Sequence, residues 1–126
     1  MVGWQSWFAV QLTVGPCHCV QGDFRYKAGQ YVFINVPQLS LFQWHPFSIS
    51  SSPYHSKVMI HIRVLGNWTK ALYNLGAKNG APIQLKCYVE GAYGEPSVDT
   101  EGHTYREFLM ISGGIGVTPM QVSCHH

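Results

Sequence analysis

The sequence predicts a mainly β domain that runs into the first strand, turn and helix of an α/β unit. Three observations lead there. Apolar residues alternate with period two in several separate segments, the pattern of half-buried strands. One internal segment has helical spacing. Near the C-terminus a continuous apolar run empties into a glycine-rich turn that ends in Thr-Pro, "GGIGVTP". With 126 residues, 46% of them hydrophobic and 11% charged, the chain can bury one real core. That length fits one domain, or one domain and the beginning of another. The net charge of +2 is far from the basic excess of a nucleic-acid binder, so no nucleic-acid partner is expected.

In chain order, "FAVQLTV" (residues 8–14) places Phe8, Val10, Leu12 and Val14 on one strand face, and "PCHCVQGDF" follows as a polar connection. "YKAGQYVFINVP" turns at Gly29 into a strand whose Val32, Ile34 and Val36 share a face. After a Pro-Gln-Leu-Ser turn comes "WHPFSISSSP" (residues 44–53), with more hydroxyls than a half-buried strand requires. "KVMIHIRVL" sets Val58, Ile60, Ile62 and Val64 on its core face, and Met59, His61, Arg63 and Leu65 on the other. An imidazole and a cation on that second face suggest a binding surface. "GNWTKALYNLG" changes period: Trp68, Leu72 and Leu75 stand at i, i+4 and i+7 of a short helix, with Asn67 as N-cap and Gly76 at its end. "APIQLKCYVEG" returns to strand, with Ile83, Leu85 and Cys87 on one face. The polar, turn-rich "EPSVDTEGHTYR" (residues 95–106) reads as an inter-domain linker, and "EFLMIS" as a buried parallel strand.

Several chemistries are set aside by spacing. No apolar run reaches the roughly 18–20 residues that cross a bilayer, so no transmembrane segment is expected. "WQSWFAVQLTV" lacks the basic start and cleavage site of a signal peptide. Cys17 and Cys19, one residue apart, match neither a zinc CxxC nor a disulfide framework. No histidine pair sits at HxxxH spacing, and no metal site is expected.

Two places are suited to anions. Gly113, Gly114 and Gly116 allow close backbone approach and positive φ, Thr118 can cap the following helix, and Pro119 suits its first turn. Exposed amides there favour a pyrophosphate. A Rossmann fingerprint is not met, because Pro119 stands in place of the third glycine. Upstream, Gly66, Asn67 and Thr69 lie at a helix start, with Arg63, a side chain made for bidentate phosphate contact, just before them.

Taken together, these segments resemble the membrane ferric reductases and NADPH oxidases. "HPFSISSSP" is similar to their flavin-binding signature, and "YKAGQYVFINVP" to the stretch before it. "HIRVLGNWTKAL" resembles the segment that takes the FAD pyrophosphate, and "MISGGIGVTPM" the NADPH pyrophosphate loop. "VEGAYGE" is similar to their Gly-Pro-Tyr/Phe-Gly turn, with Ala92 where proline is usual. The resemblance covers five motifs in family order, from about Asp23 to Met120.

The resemblance implies an antiparallel Greek-key FAD-binding barrel over residues 1–94, a linker at 95–106, and the start of a truncated NAD(P)H-binding α/β domain at 107–126. It implies that Phe47 covers a face of the isoalloxazine and that Ser48, the catalytic residue, hydrogen-bonds near N5. His45 lies beside the ring or phosphates, Pro46 stiffens the entry, and Ile49, Ser50 and Ser51 complete the pocket. Arg63, Gly66, Asn67, Trp68 and Thr69 take the FAD pyrophosphate, and Gly113, Gly114, Gly116, Thr118 and Pro119 that of NADPH. The implied parent enzyme lies at the cytosolic face of a membrane and passes electrons from NADPH through FAD, and through haem in a transmembrane partner domain, to ferric iron or dioxygen. The chain alone is expected to be inactive. Two other classes stand beside this reading: a soluble FAD-binding module without turnover, and a soluble flavin reductase. The latter generally carries Arg-x-Tyr-Ser where this chain has His45-Pro46-Phe47-Ser48.

Overall fold

The computed structural model describes the backbone of residues 7–12 and residues 24–55, 57–77, 85–95, 107 and 109–123. The expectations for Val14, Cys17, Cys19, Ile83 and residues 96–106 lie outside the described residues. Five strands are formed: β1 (Trp7–Leu12), β2 (Tyr31–Asn35), β3 (His45–Ser48), β4 (Val58–Arg63) and β5 (Tyr88–Tyr93). Helix α1 spans Asn67–Ala77, and a single 3-10 turn, Gly114–Gly116, leads into α2 (Val117–Ser123). The fold is mainly β, as the alternation requires.

All strand pairs are antiparallel. β1 pairs with β4, setting Phe8 across from Ile62, Val10 from Ile60 and Leu12 from Val58. The second sheet runs β3-β2-β5. One bridge, Ile49 to Ile60, joins the two sheets, so the strands follow one another in the order β1-β4-β3-β2-β5. The arrangement is barrel-like.

Alternation decides the core. Val32, Ile34 and Val36 of the β2 segment are buried, and so are Val58, Ile60 and Ile62 of β4. Ile49, Leu72, Val89 and Tyr26 complete the cluster. A fully buried aliphatic side chain contributes about 1.5–3 kcal/mol. Ile49 and Ile60, both at 0% exposure, therefore make the bridge between the sheets an apolar as well as a hydrogen-bonded join. In β5 the register slips: Tyr31 faces Tyr93 while Phe33 faces Glu90, so β5 carries one extra residue. Gly91 lies in that bulge at φ +124°, and a Cβ there would sit 3.0 Å from the Tyr93 ring and 3.2 Å from the Tyr31 carbonyl oxygen.

Two local expectations differ from the structure. Asn67 is the first helical residue rather than the N-cap: the Gly66 carbonyl already accepts the Lys70 N–H at 2.9 Å. The start is fastened from inside, by Thr69 Oγ1, which accepts the N–H groups of Leu65 and Gly66, each at 3.0 Å, and donates to the Gly66 carbonyl. A hydroxyl at the third helical position thus reaches back to the cap amide, as the acidic member of a capping box does. The run "EFLMIS" is not a buried parallel strand here. Leu109 and Ile111 are 88% and 81% exposed, and no described residue pairs with the segment. A parallel strand exists only through its ladder, and apolar composition alone does not make one.

Candidate functional site

The site forms where the two sheets meet. On the β4 side, Ser50 N–H donates to the Met59 carbonyl at 2.8 Å; on the β2 side, Ile49 N–H donates to the Gln30 carbonyl at 3.0 Å. Successive amides of an extended chain point to opposite sides, so the amide positions of residues 46 and 48 face β4. Pro46 has no N–H to offer there. Among the described residues, β3 and β4 share no ladder beyond the Ile49–Ile60 bridge. The seam is closed at the serines and open along β3.

Trp68, at the second position of α1, packs its ring against β3. Its ring stacks on His45 at 4.0 Å between centroids and 29° between planes, and lies 6.0 Å and 27° from Phe47. His45 and Phe47 share one face of β3 and are half-buried, whereas Pro46 and Ser48 share the other and are exposed. Phe47 and Ser48 therefore reach one ligand only if that ligand lies along the open edge of β3. The open seam is such an edge.

Three buried side-chain nitrogens among the described residues have no hydrogen-bond partner: His45 Nε2, Arg63 Nε and Trp68 Nε1. They come from β3, the end of β4 and the start of α1. Two of them, the guanidinium and indole N–H groups, can only donate. Each buried group left unsatisfied costs about 1–3 kcal/mol. Burial also pushes the His45 imidazole below its ordinary pKa, favouring the neutral ring. The arrangement suits a ligand with an aromatic ring and an anionic, oxygen-rich chain. FAD has both, and these residues fit it.

The serines divide. Ser48 is exposed at the seam, but Ser50, Ser51 and Ser52 are 4%, 5% and 2% exposed. Ser50 Oγ donates to the Met59 carbonyl at 2.9 Å and lies 2.8 Å from His61 Nδ1. Ser51 Oγ accepts the Met59 N–H at 2.9 Å and pairs with the Tyr26 hydroxyl at 2.8 Å, which also donates to the Ser52 carbonyl at 2.7 Å. Ser50 and Ser51 were expected to complete a cofactor pocket through side chain and backbone; their hydroxyls are engaged with the Met59 backbone and hold the seam. Ile49 is core, not pocket wall. Thr69 likewise spends its hydroxyl on the helix start. Nothing in the sequence marked Tyr26, 25 residues before Ser51, as their partner.

The glycine turn differs in detail from its reading. Of Gly113, Gly114 and Gly116 only Gly114 has positive φ, at +55°. All three have open space where a Cβ would stand, so the backbone can be approached. Thr118 is buried inside α2 and donates to the Ile115 carbonyl at 3.0 Å instead of capping the helix. Pro119 falls in the first turn, where its missing N–H costs nothing.

An antiparallel β domain with stacked rings and unpaired buried donors has the chemistry to take an aromatic, anionic cofactor. The family model described as "FAD-binding domain" matches residues 17–97, and the chain belongs to that family. It is 40% identical over 111 residues to putative respiratory burst oxidase homolog protein G of Arabidopsis thaliana, a match covering 78% of this chain and 13% of that protein. Respiratory burst oxidase homolog protein F of the same plant is 39% identical over 77% of this chain and 12% of its own length. NADPH oxidase 3 of Rattus norvegicus is 38% identical over 81% of this chain and 18% of its own. The chain thus spans less than a fifth of the length of these relatives. Among the described residues no helix is long and apolar enough to cross a membrane.

Proposed function

We propose that the chain is the flavin-binding part of an NADPH oxidase-type membrane oxidoreductase, on the cytosolic face beside a transmembrane haem domain of the parent enzyme. In that enzyme NADPH is the electron donor and ferric iron or dioxygen the acceptor, with FAD, when bound, supplying the exchange between two-electron and one-electron transfer. Residues 1–94 form the FAD-binding barrel with Greek-key closure, 95–106 the linker, and 107–126 the start of the NADPH-binding domain.

The observation that carries this reading is the trio of buried nitrogens without partners, on His45, Arg63 and Trp68. Arg63 and Trp68 donate to the anionic chain of the cofactor, and the start of α1 at Gly66 and Asn67 adds its dipole. His45 and Phe47 present ring faces, Pro46 keeps the edge of β3 open, and Ser48 donates a hydrogen bond at the reacting edge of the flavin. Gly113, Gly114, Gly116 and Pro119 offer approachable backbone to the NADPH phosphates.

The test is a flavin titration. FAD is expected to bind more tightly than riboflavin, which lacks the pyrophosphate, and Arg63→Ala to weaken FAD by about 1.5–3 kcal/mol, the range for hydrogen bonds to charged groups. Riboflavin affinity should be unchanged by the substitution. Equal affinity of the parent chain for FAD and riboflavin would overturn the assignment.

A further inference from the structure

We infer that the loop between β2 and β3 is a lipid-inserting tip. The proposal sharpens the membrane-face placement above and rests on it for its setting, but its observations are separate from the flavin site. The loop is fastened from within. Leu39 and Ser40 N–H both donate to the Val36 carbonyl, at 2.9 and 3.0 Å. Asn35, only 2% exposed, donates from Nδ2 to the carbonyls of Ser40 at 3.0 Å and Gln43 at 2.8 Å. Leu39 packs against the core.

This fastening holds the next side chains away from the protein. Leu41 is 69% exposed and Phe42 89%, with Trp44 at 39% on the return. A slack loop would fold an adjacent leucine and phenylalanine back on the core; this one presents them outward.

Charge selects the occupant. No Asp, Glu, Lys or Arg occurs between Lys27 and Lys57, so the loop and both strands that carry it are free of fixed charge. A water-facing loop gives no reason for an uncharged, apolar tip. Hydrocarbon does, because every charge carried into it is costly. Backbone groups must also be satisfied inside lipid, and Asn35 and Val36 already engage groups on both sides of the tip. An indole at the base of such a tip sits at headgroup depth, where tryptophan is enriched. Leu41 and Phe42 enter the acyl region and Trp44 marks the interface.

The test is co-sedimentation of the whole 126-residue chain with pure phosphatidylcholine vesicles, with and without FAD. The parent chain is expected to partition onto vesicles. Leu41→Gln with Phe42→Gln should lower the partition coefficient about tenfold or more, since both side chains are apolar anchors. Binding should persist from about 0.1 M to about 1 M salt, where screening removes electrostatic attraction. Tyr54→Gln, at a 76% exposed tyrosine on another turn, should leave partitioning unchanged. FAD affinity should be the same in all variants, so loss of vesicle binding and loss of the flavin reading are separate results. The inference is overturned if the parent chain does not partition or if the double variant partitions equally. It is also overturned if Tyr54→Gln matches the double variant.

Discussion

Replacing Trp68 by phenylalanine separates what this ring does for the fold from what it does for the cofactor. Phenylalanine keeps a ring to stack on His45, now 4.0 Å away, and removes only the N–H and part of the ring volume. In the free chain that N–H is buried without a partner, so its removal returns about 1–3 kcal/mol. The smaller ring loses packing, but Trp68 is half-buried and a ring remains, so the loss falls well short of the about 3–5 kcal/mol of truncating a buried ring to alanine. The two effects offset, and urea denaturation of Trp68→Phe without flavin should give a stability equal to or above that of the parent. Binding moves the other way. Loss of a hydrogen bond to a charged oxygen weakens FAD by about 1.5–3 kcal/mol, roughly 10- to 150-fold in the dissociation constant. Riboflavin should be affected far less, which a flavin fluorescence titration of both ligands reads directly. An unchanged FAD affinity, or an equal loss for riboflavin, would refute the claim that the indole N–H faces the anionic chain.

Two further outcomes follow from the packing. Tyr26→Phe leaves the Ser52 carbonyl without its 2.7 Å donor and should destabilise the chain by about 1–3 kcal/mol in urea or thermal denaturation. His45 has its pKa depressed below the ordinary 6.5, so the unfolded chain takes its proton first as pH falls. Its contribution to stability is present above that value and is lost as pH drops below it; His45→Gln should flatten this part of the stability–pH profile, measured against the parent because the other histidines titrate as well.

Much of this architecture was legible because it follows from periodicity. Val32, Ile34 and Val36, and Val58, Ile60 and Ile62, were core residues by alternation, and Leu72 by helical spacing. His45, Phe47, Arg63 and Trp68 were legible as candidates because their neighbours form recognisable motifs, and the fold stacks three of them, His45, Phe47 and Trp68, together. The direction of a hydroxyl was not legible. Ser48, Ser50 and Ser51 read alike in sequence, and what divides them is Tyr26 and the Met59 backbone, both distant along the chain. The hydroxyls of Thr69 and Thr118 were not legible either, for the related reason that a threonine inside a first turn finds a nearby backbone group. The run at residues 109–112 misled because a buried strand is defined by its neighbours. The outward posture of Leu41 and Phe42 needed the hydrogen bonds of Asn35 to be seen.

The open seam between β3 and β4 has a bearing on how long the folded chain lasts. One apolar bridge and a serine cluster join the sheets at one end, while the other end parts along His45–Ser48. On the proposed placement, a flavin would touch β3 with its ring and the end of β4 with its anionic chain, and would act as a clasp between the halves. Anything that binds only the folded form stabilises it by mass action, by about 2.7 kcal/mol at a hundred times the dissociation constant. The cell's supply of FAD would then set not only how much of this domain is competent but how quickly the unclasped fraction opens and is cleared.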